Sequence, residues 1–475
     1  MDGLECSEIL FSEIDLGDRI DAEYFSKEYL QIGSLIGNVK TLKIGQIATT
    51  VASAFYPAAT QLYSIGDTAF VRCVDCINYP IISKDQDIRF EKIPYSFAEN
   101  SKGISLLRGN EIVITKVGTP CYASIVTDYD EVALSRTVMG LSNIRGVDPY
   151  FLMVFLRCKY GFEQLYRQRE LTIQYQLTLS RVNAIDVYIP SVSFQDTVKD
   201  IVLNYHIVLH ESDSLYQAAQ KDLLTNLCYT SETVSTENVS EKQLSESFLK
   251  SGRLDAEYYQ PKYDNLFTVL SKQVRKSLGQ LVTIMKSIEP GSEYYGDIGI
   301  PFIRVSDVSK IGIASPSIKI PKNTIPFIET LFLKKDTILF SKDGSVGIAY
   351  KIKEDMTAVT SSALLHLRVK NSSEILPDYL TLVLNSEIVQ LQAERDASGA
   401  IIQHWKPSDI EKVVIPILPY DFQLGIAKKI QRSFSLRKKA DNLIQIAVKA
   451  VELAIEQSEE TATKWLKENV ESLEG

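Results

Sequence analysis

Two pairs of side chains have spacings that could bind a metal. Cys73 and Cys76 form a Cys-x-x-Cys pair, which is the spacing of many zinc and redox sites, and His206 and His210 lie one helical turn apart. The histidine pair has no third ligand in view along the chain. We therefore expect the histidines to lie on a solvated or interface face of a helix, and we expect no metal and no cofactor in this chain.

A seven-residue stretch that occurs twice organises the rest of the sequence. Arg253–Tyr259 restates Arg19–Phe25 with every pair identical or closely similar, 234 residues apart in a chain of 475. Solenoid repeats have periods of about 20–50 residues, so this spacing indicates one whole domain copied once. A unit of about 230 residues is long enough to bury a core of its own.

The repeat tests the cysteine pair within one sequence. The residues that match Cys73 and Cys76 are Val305 and Val308. Apolar residues at the matching positions favour burial over metal binding or redox chemistry, because free cysteine behaves as a small apolar side chain. We therefore predict that Cys73 and Cys76, like Val305 and Val308, are core residues of a β-strand. The segments predicted as strands are Val71–Cys76 and Ile303–Val308.

Two polar residues are kept in both copies while their neighbours differ. Arg72 and Asp75 match Arg304 and Asp307. One interpretation is a structural ion pair or turn cap. The other is a contact from each arginine to a phosphate or a base.

A glycine-bearing loop is a second candidate for ligand contact. Ser341–Gly347 combines a lysine, hydroxyls and two glycines, and its counterpart keeps Lys116 and Gly118. Glycine allows close approach of the backbone to a ligand, and serine and lysine bind phosphate, although an ordinary hairpin turn explains the loop equally well. Gln403–Ser408 is a further candidate contact segment, in which Trp405 could equally be a core residue.

Two stretches with helical periodicity follow the two copies. The first runs from Phe194 to about Leu227 and the second from Phe422 to about Leu466. Helices of that length carry an apolar stripe that must be covered, and covering each other in an antiparallel pair is the simplest solution for a duplicated chain. The predicted interface residues are Val198, Ile201, Tyr205, Val208, Leu215, Ala219, Ala440, Leu443, Ala447, Ala450 and Ala454.

The predicted fold class is therefore α/β (α+β), with two duplicated mixed-sheet domains separated by two long, antiparallel, coiled-coil-like helices. The predicted segments are a first globular domain at 1–193, a central long helix at 194–228, a polar linker at 229–246, a second globular domain at 247–421, and a C-terminal long helix with an acidic tail at 422–475.

Composition and missing motifs narrow the function. The chain has 45% hydrophobic residues, no apolar run near the ~18 residues of a membrane span, an acidic N-terminus and six scattered cysteines, so we expect a cytoplasmic protein with reduced thiols. The net charge of −9 argues mildly against nucleic acid, although a basic face can coexist with acidic helices. Phosphate loops, dinucleotide fingerprints, amino-methyltransferase motifs and nuclease motifs are absent from the sequence, so we expect no catalytic activity.

The order of these parts resembles the specificity subunit of a type I restriction–modification enzyme. The resemblance covers essentially the whole chain twice. The strings that carry it are Phe302–Val308, Asp336–Gly347, Thr360–Ala363, and Ile402–Gln403 through Ile415–Pro419 into Phe422–Gln423 and the following helix. The first copy departs from the family at Lys116–Pro120, where a Gly-x-x-Gly run is usual, and at Leu177–Ser180, which stands in place of Gln403–Lys406.

The resemblance implies a function in DNA recognition. The two globular domains would be target-recognition domains, each of which reads one half of a split, asymmetric double-stranded DNA target. The two long helices would be spacers that set the gap between the halves. The helices would also dock two methyltransferase subunits that carry adenine-N6 chemistry and S-adenosylmethionine, and a motor–nuclease subunit with ATP and Mg²⁺ could join; no membrane is implied. The candidate DNA-contact residues are Arg72, Lys116, Gly118, Thr119, Arg304, Ser341, Lys342, Gly344, Ser345, Gln403, His404 and Lys406.

Two other functions remain open from the sequence. The first is the specificity chain of a related system in which methyltransferase and nuclease are fused. The second is a scaffold that binds no DNA, or an unrecognised enzyme.

Overall fold

The computed structural model describes residues 6–10, 14, 19–54, 59–170, 175–229, 239–323, 326–399 and 403–473. These form two compact units. Unit 1 consists of Met1–His210 and Leu436–Gly475, and unit 2 of Glu211–Ser435. The division falls inside both long helices, so each unit contains a piece of each. Most of the predicted linker (230–238), Ile402 of the resemblance strings and the end of the acidic tail (474–475) lie outside the described residues.

The first half of the chain alternates short strands and helices and ends in a long helix. Its elements are α1 (Lys27–Gly37), β1 (Thr41–Lys43), α2 (Ile44–Ile47), β2 (Thr49–Ala52), β3 (Thr68–Val71), α3 (Cys73–Ile77), β4 (Ile81–Ile82), β5 (Glu91–Ile93), α4 (Tyr95–Asn100), β6 (Leu106–Leu107), β7 (Ile112–Thr115), β8 (Ala123–Val126), β9 (Val132–Leu134), β10 (Val138–Ser142), α5 (Pro149–Arg157), α6 (Lys159–Arg167), α7 (Leu179–Asn183), β11 (Asp186–Tyr188) and α8 (Val192–Asn226).

The second half repeats the order. Its elements are α9 (Phe248–Ser251), α10 (Pro261–Ser271), β12 (Arg275–Ser277), α11 (Leu278–Leu281), β13 (Val282–Lys286), β14 (Ile300–Ile303), β15 (Val308–Ser309), β16 (Gly312–Ile313), β17 (Lys319–Ile320), β18 (Ile338–Ser341), β19 (Asp343–Gly344), β20 (Ala349–Lys351), β21 (Val359–Thr360), β22 (Leu364–Val369), α12 (Pro377–Asn385), α13 (Glu387–Asp396), β23 (Gln403–His404), α14 (Pro407–Ile410), β24 (Val414–Pro416), α15 (Tyr420–Glu456) and α16 (Glu459–Glu471).

The sheets of the two units follow one plan. In unit 1 the strand order of the main sheet is β2-β10-β7-β8-β4, and in unit 2 it is β13-β22-β18-β20. A parallel pair, β3 with β9, recurs as β14 with β21, and the antiparallel pair β1 with β11 recurs as β12 with β24. The mixed parallel and antiparallel pairing confirms the predicted α/β (α+β) class with duplicated mixed sheets.

The duplication extends to individual side-chain hydrogen bonds. The buried Gln195 accepts from Asp148 N at 2.8 Å, and the buried Gln423 accepts from Leu376 N at 2.9 Å. The repeated Arg-x-Asp stretch is equally conserved in geometry, because Arg19 and Arg253 each form a forked ion pair with the aspartate two residues later. Equal bonds at equal positions support the predicted duplication of one folded unit.

Each unit contains a helix that is buried over most of its length. The seven residues Tyr150–Leu156 of α5 are all buried, which fits the run of apolar residues after Pro149. Pro149 occupies the first turn, where a missing N–H is harmless, and Asp148 caps the helix by accepting from Tyr150 N at 2.8 Å. In α12 the eight residues after Pro377 are buried in the same way.

The segments predicted as strands at 71–76 and 303–308 are wrong after their first residue, except that Val308 begins the short strand β15. The strands end at Val71 and Ile303, and a short helical turn follows each. The reason is a cap, since Asp75 accepts from Arg72 N and Asp307 accepts from Arg304 N, both at 2.8 Å. Cys76 is buried as expected but lies on α3, while Cys73 is half-buried.

The long helices confirm the predicted periodicity. α8 spans 35 residues and α15 spans 37. The predicted second helix to about Leu466 is wrong in one respect: it breaks at Gln457, and Ser458 caps a separate helix α16 by accepting from Thr461 N at 3.2 Å. Of the eleven predicted interface residues, all are buried except Leu215, which is half-buried.

The pieces of α8 and α15 that belong to unit 2 run antiparallel. Ser212 and Ser433 exchange hydroxyl-to-carbonyl hydrogen bonds of 2.8 and 2.7 Å, and Asp222, later on α8, pairs with Lys429, earlier on α15. Small side chains at Ser212 and Ser433 permit this close approach. The antiparallel prediction is confirmed for these segments. Among the described residues, no helix is long and apolar enough to cross a membrane.

Candidate nucleic-acid interface

The glycine-bearing loop has one geometry in both units. Thr115–Cys121 and Ser341–Gly347 have equal length, and each closes with a hydrogen bond of 2.9 Å from the last N–H to the first carbonyl. The hydroxyl of the buried Ser341 donates to Ser345 O at 2.6 Å and accepts from Ile348 N at 2.8 Å. Ser341, predicted as a DNA contact, therefore fastens the loop and is enclosed within it.

Two positions in each loop have left-handed backbone. Gly118 has φ of +89° and Gly344 +75°, and the final position is Cys121 at +81° in unit 1 and Gly347 at +82° in unit 2. A side chain at such φ is strained, so glycine is the ordinary choice. The departure of the first copy from the Gly-x-x-Gly run is thus a change of residue with the conformation kept.

A second segment lies along each loop. Trp405 N donates to Lys342 O at 2.8 Å, and Leu177 N donates to Lys116 O at 3.0 Å. In unit 2 this segment pairs with the loop as antiparallel strands β19 and β23. Trp405 itself is 1% exposed and packs on Phe340, so of its two open interpretations the core one holds.

The pairing corrects the alignment of the two copies by two residues. His404 O accepts from Ser398 N at 3.0 Å, and its counterpart Gln176 O accepts from Glu170 N at 2.9 Å. Gln403 and His404 therefore correspond to Tyr175 and Gln176, not to residues starting at Leu177. The same slip affects the last strand, where Val187 corresponds to Ile415.

Tyr175 and Gln176 are exposed and were missed from the sequence. The signal that could have found them is the correct spacing of Phe194 and Phe422, which are 228 residues apart, whereas the loops are 226 apart. The second copy therefore has two extra residues between its loop and Phe422. The alignment had to place them before the residues that match Tyr175 and Gln176.

A third segment, 135–137 in unit 1 and 361–363 in unit 2, connects each loop to the arginine that both copies keep. Lys116 N donates to Thr137 O at 2.8 Å, and Lys342 N donates to Ala363 O at 2.9 Å. The same segments bond to the last strand residue before each arginine, through Ser135 N to Val71 O and Ser361 N to Ile303 O, both at 2.9 Å. Arg136 is exposed here in unit 1, and sequence analysis did not select it.

Both conserved arginines have a structural role. Arg72 Nε lies 3.3 Å from Asp75 Oδ2 and Arg72 Nη1 lies 3.4 Å from Glu91, while Arg304 Nε lies 3.6 Å from Asp307 Oδ2. The side chains stay 30% and 38% exposed, respectively. The ion-pair and cap interpretation is thus observed, and a DNA contact by the same arginines stays a prediction.

We call the exposed rim formed by these segments the contact edge. It contains five of the predicted candidates in unit 2 and three in unit 1, together with residues that the sequence did not indicate. Contact edge 1 consists of Lys116–Thr119, Arg136, Tyr175 and Gln176, and contact edge 2 consists of Lys342–Ser345, Ser362, Gln403 and His404. Lys406 is exposed just beyond edge 2.

The two lysines of the contact edges differ in their surroundings. Lys342 forms an ion pair with Asp343, whose other oxygen lies 2.8 Å from His404 Nδ1. In unit 1 the residue after Lys116 is Val117, and burial lowers the pKa of the Lys116 amine. The lysine of edge 2 is therefore compensated by a neighbouring carboxylate, and the surroundings of Lys116 in edge 1 are more apolar.

The histidine pair lies outside the contact edges, whereas the Cys73 thiol donates to Thr119 O of contact edge 1 at 3.4 Å. The Nε2 atoms of His206 and His210 are 3.5 and 3.8 Å from Asp85 Oδ2, so the pair packs against the turn that contains Asp85. Burial lowers the pKa of His206 and raises the pKa of Cys76 to about 12. In the part of the chain that the structure describes, no three potential metal ligands are grouped to hold an ion.

Comparison with known families gives the second half a clear relative. Residues 272–445 match the family model of the type I restriction modification DNA specificity domain. This half of the chain carries a type I DNA specificity domain. All of contact edge 2 lies within the specificity domain, and so do Arg304 and Lys406. Contact edge 1 has the same hydrogen-bond framework as the specificity domain.

Solved structures of S subunits match most of the chain at low identity. An S subunit of a type I restriction–modification system from M. genitalium is 14% identical, with 90% of this chain and 96% of that chain covered and a TM-score of 0.37. The HsdS subunit from Thermoanaerobacter tengcongensis is 14% identical, with 88% and 97% covered and a TM-score of 0.29. No match is found among curated proteins.

Proposed function

We propose that this chain is the DNA sequence-specificity subunit of a type I restriction–modification complex and has no catalytic activity itself. Each contact edge reads one half of a split, asymmetric target in double-stranded DNA. The observation that carries the proposal is the match of residues 272–445 to the DNA specificity domain, together with the recurrence of that domain's hydrogen-bond framework in unit 1.

The chemistry of the contact edges supports nucleic acid as the ligand. Each edge has a lysine two residues before a left-handed glycine whose added Cβ would meet no atom within 4 Å, so the backbone at the glycine is open to a ligand. Lysine and exposed polar side chains are the groups that bind phosphates and base edges. The side chains differ between the edges, which fits a target whose two halves differ.

The partners of this chain complete the proposal. Two methyltransferase subunits dock on the long helices and carry S-adenosylmethionine and the adenine-N6 chemistry, and restriction subunits with ATP and Mg²⁺ join the complex. The two long helices fix the gap between the half-sites. A subunit that reads DNA has to be in the same compartment as the DNA, so the expected cytoplasmic location is part of this proposal.

Binding measurements on the assembled complex test the function. The chain is co-purified with its methyltransferase subunits, and duplexes are selected from a randomised DNA pool. We expect a two-part motif with a fixed gap and a steep loss of affinity with salt, since phosphate contacts release counterions. Methyltransferase subunits alone serve as the control. An assembled complex that selects no motif would reject the proposal.

A further inference from the structure

The two contact edges have the same backbone and different side chains. Val117 occupies the position of Asp343, and Gln176 occupies that of His404. Since the loops share their length, their closing hydrogen bonds and their left-handed positions, the fold does not require either residue type at these sites. The difference in side chains can therefore serve to distinguish the ligands that the two edges bind.

Asp343 is one of two positions where the edges differ in formal charge, the other being Arg136 of edge 1, which corresponds to Ser362 of edge 2. Its carboxylate is held between the Lys342 amine and His404 Nδ1, the latter at 2.8 Å from Oδ1. An isolated carboxylate at a DNA surface would be repelled by the phosphates, and the adjacent lysine offsets that repulsion. The side chain is 24% exposed and lies on the edge strand β19 beside β23, so it is fixed in place and still accessible.

A fixed carboxylate can discriminate between bases because it only accepts hydrogen bonds. In the major groove adenine N6 and cytosine N4 donate, whereas guanine O6 and thymine O4 accept. A valine at the same position neither donates nor accepts, and its methyl groups suit contact with apolar groups such as the thymine methyl.

We propose that Asp343, positioned by Lys342 and His404, selects a base with an exocyclic amino group, adenine or cytosine, at one position of the half-site read by unit 2. Val117 places no such requirement on the half-site read by unit 1. This inference rests on the proposed function and names one residue by which the two half-sites differ.

The test is base discrimination by the assembled complex with its methyltransferase subunits. Affinities are measured for duplexes that carry each alternative base pair at every position of both half-sites. For Asp343→Asn, whose amide both donates and accepts, we expect discrimination at one position of one half-site to fall about tenfold. Val117→Asp is expected to add a preference for adenine or cytosine in the other half-site.

Asp336→Asn is the matched control. It makes the same charge change at an exposed site of the same unit, and the first copy already has Asn110 there, with φ of +66° against +62° for Asp336. We expect wild-type discrimination from this variant. A change confined to one half-site in Asp343→Asn, and to the other in Val117→Asp, supports the inference.

Three results would overturn it. They are unchanged ratios at every position in Asp343→Asn, an equal change in Asp336→Asn, and an affinity loss by the same factor for all duplexes. In each case the wild-type complex would still prefer a two-part target, so the proposed function would stand. A wild-type complex with no two-part preference would reject the proposed function and the inference together.

Discussion

The left-handed glycine at the tip of contact edge 2 predicts a specific loss of stability. An added Cβ at Gly344 meets no atom within 4 Å, so the whole cost of Gly344→Ala comes from φ of +75°. A left-handed alanine costs about 1–2 kcal/mol, and reduced freedom of the unfolded chain returns about 0.4–1 kcal/mol. We expect a net loss of about 1 kcal/mol in the free energy of unfolding.

Gly425 supplies the matched control. It lies inside helix α15, and an added Cβ there also meets no atom within 4 Å. With ordinary helical backbone, Gly425→Ala should gain about 1 kcal/mol. The two substitutions therefore differ in sign although both add one methyl group into open space in unit 2.

The chain provides a local probe for this measurement. It has two tryptophans, the buried Trp405 next to β19 in unit 2 and Trp465 on α16 in unit 1. In a Trp465→Phe background, fluorescence reports on unit 2 alone during thermal unfolding. A 1 kcal/mol change moves the midpoint by about 2–4 °C for a unit of this size. Equal midpoints for Gly344→Ala and wild type would refute the left-handed loop.

Three further predictions concern the core, the helices and the gap. Burial lowers the pKa of His366 to about 4, below its usual 6.5, so stability should be full above pH 6.5 and fall by about 3 kcal/mol as pH drops to 4. The pH dependence of the denaturant midpoint should show this loss in wild type and not in His366→Gln. An equal slope of midpoint against pH in the two proteins would contradict it. Ala447 on α15 is fully buried, so Ala447→Leu should cost about 1–3 kcal/mol by Trp465 fluorescence, and a neutral result would mean that this side chain has room. Seven residues added as two helical turns between Gln217 and Leu227 should lengthen the target gap by up to about three base pairs with both half-sites unchanged, and an unaltered gap in the methylation motif would reject the spacer role.

The duplication and the long helices could be predicted because both are visible as patterns in the linear sequence. The Arg-x-Asp repeat, the apolar run after Pro149 and the helical spacing from Val198 onward depend on local sequence alone. The antiparallel arrangement, observed at Ser212 and Ser433, was predicted from the need to cover two long apolar stripes, but the two serines themselves were not.

The errors arose where a side chain bonds to the backbone of another position. Alternation of apolar and polar residues favoured a strand through Asp75, but that carboxylate caps the backbone of Arg72 and starts a helix. The two-residue slip at Gln176 has another cause: the 228-residue spacing of Phe194 and Phe422 was not applied to this segment, and the backbone bond from Leu177 N to Lys116 O fixes the alignment. The role of Ser341 was misassigned because exposure is a tertiary property, and the hydroxyl turned inward.

The most direct test of the account is the methylation pattern that the chain directs. The chain is co-expressed with its methyltransferase subunit in a host free of DNA methylation, and N6-methyladenine is mapped across the genome. We predict one two-part motif with a fixed unspecified gap and different sequences in its two halves. Methylation at a single continuous motif, or none from an assembled complex, would contradict the claim that two contact edges of one chain read one split target.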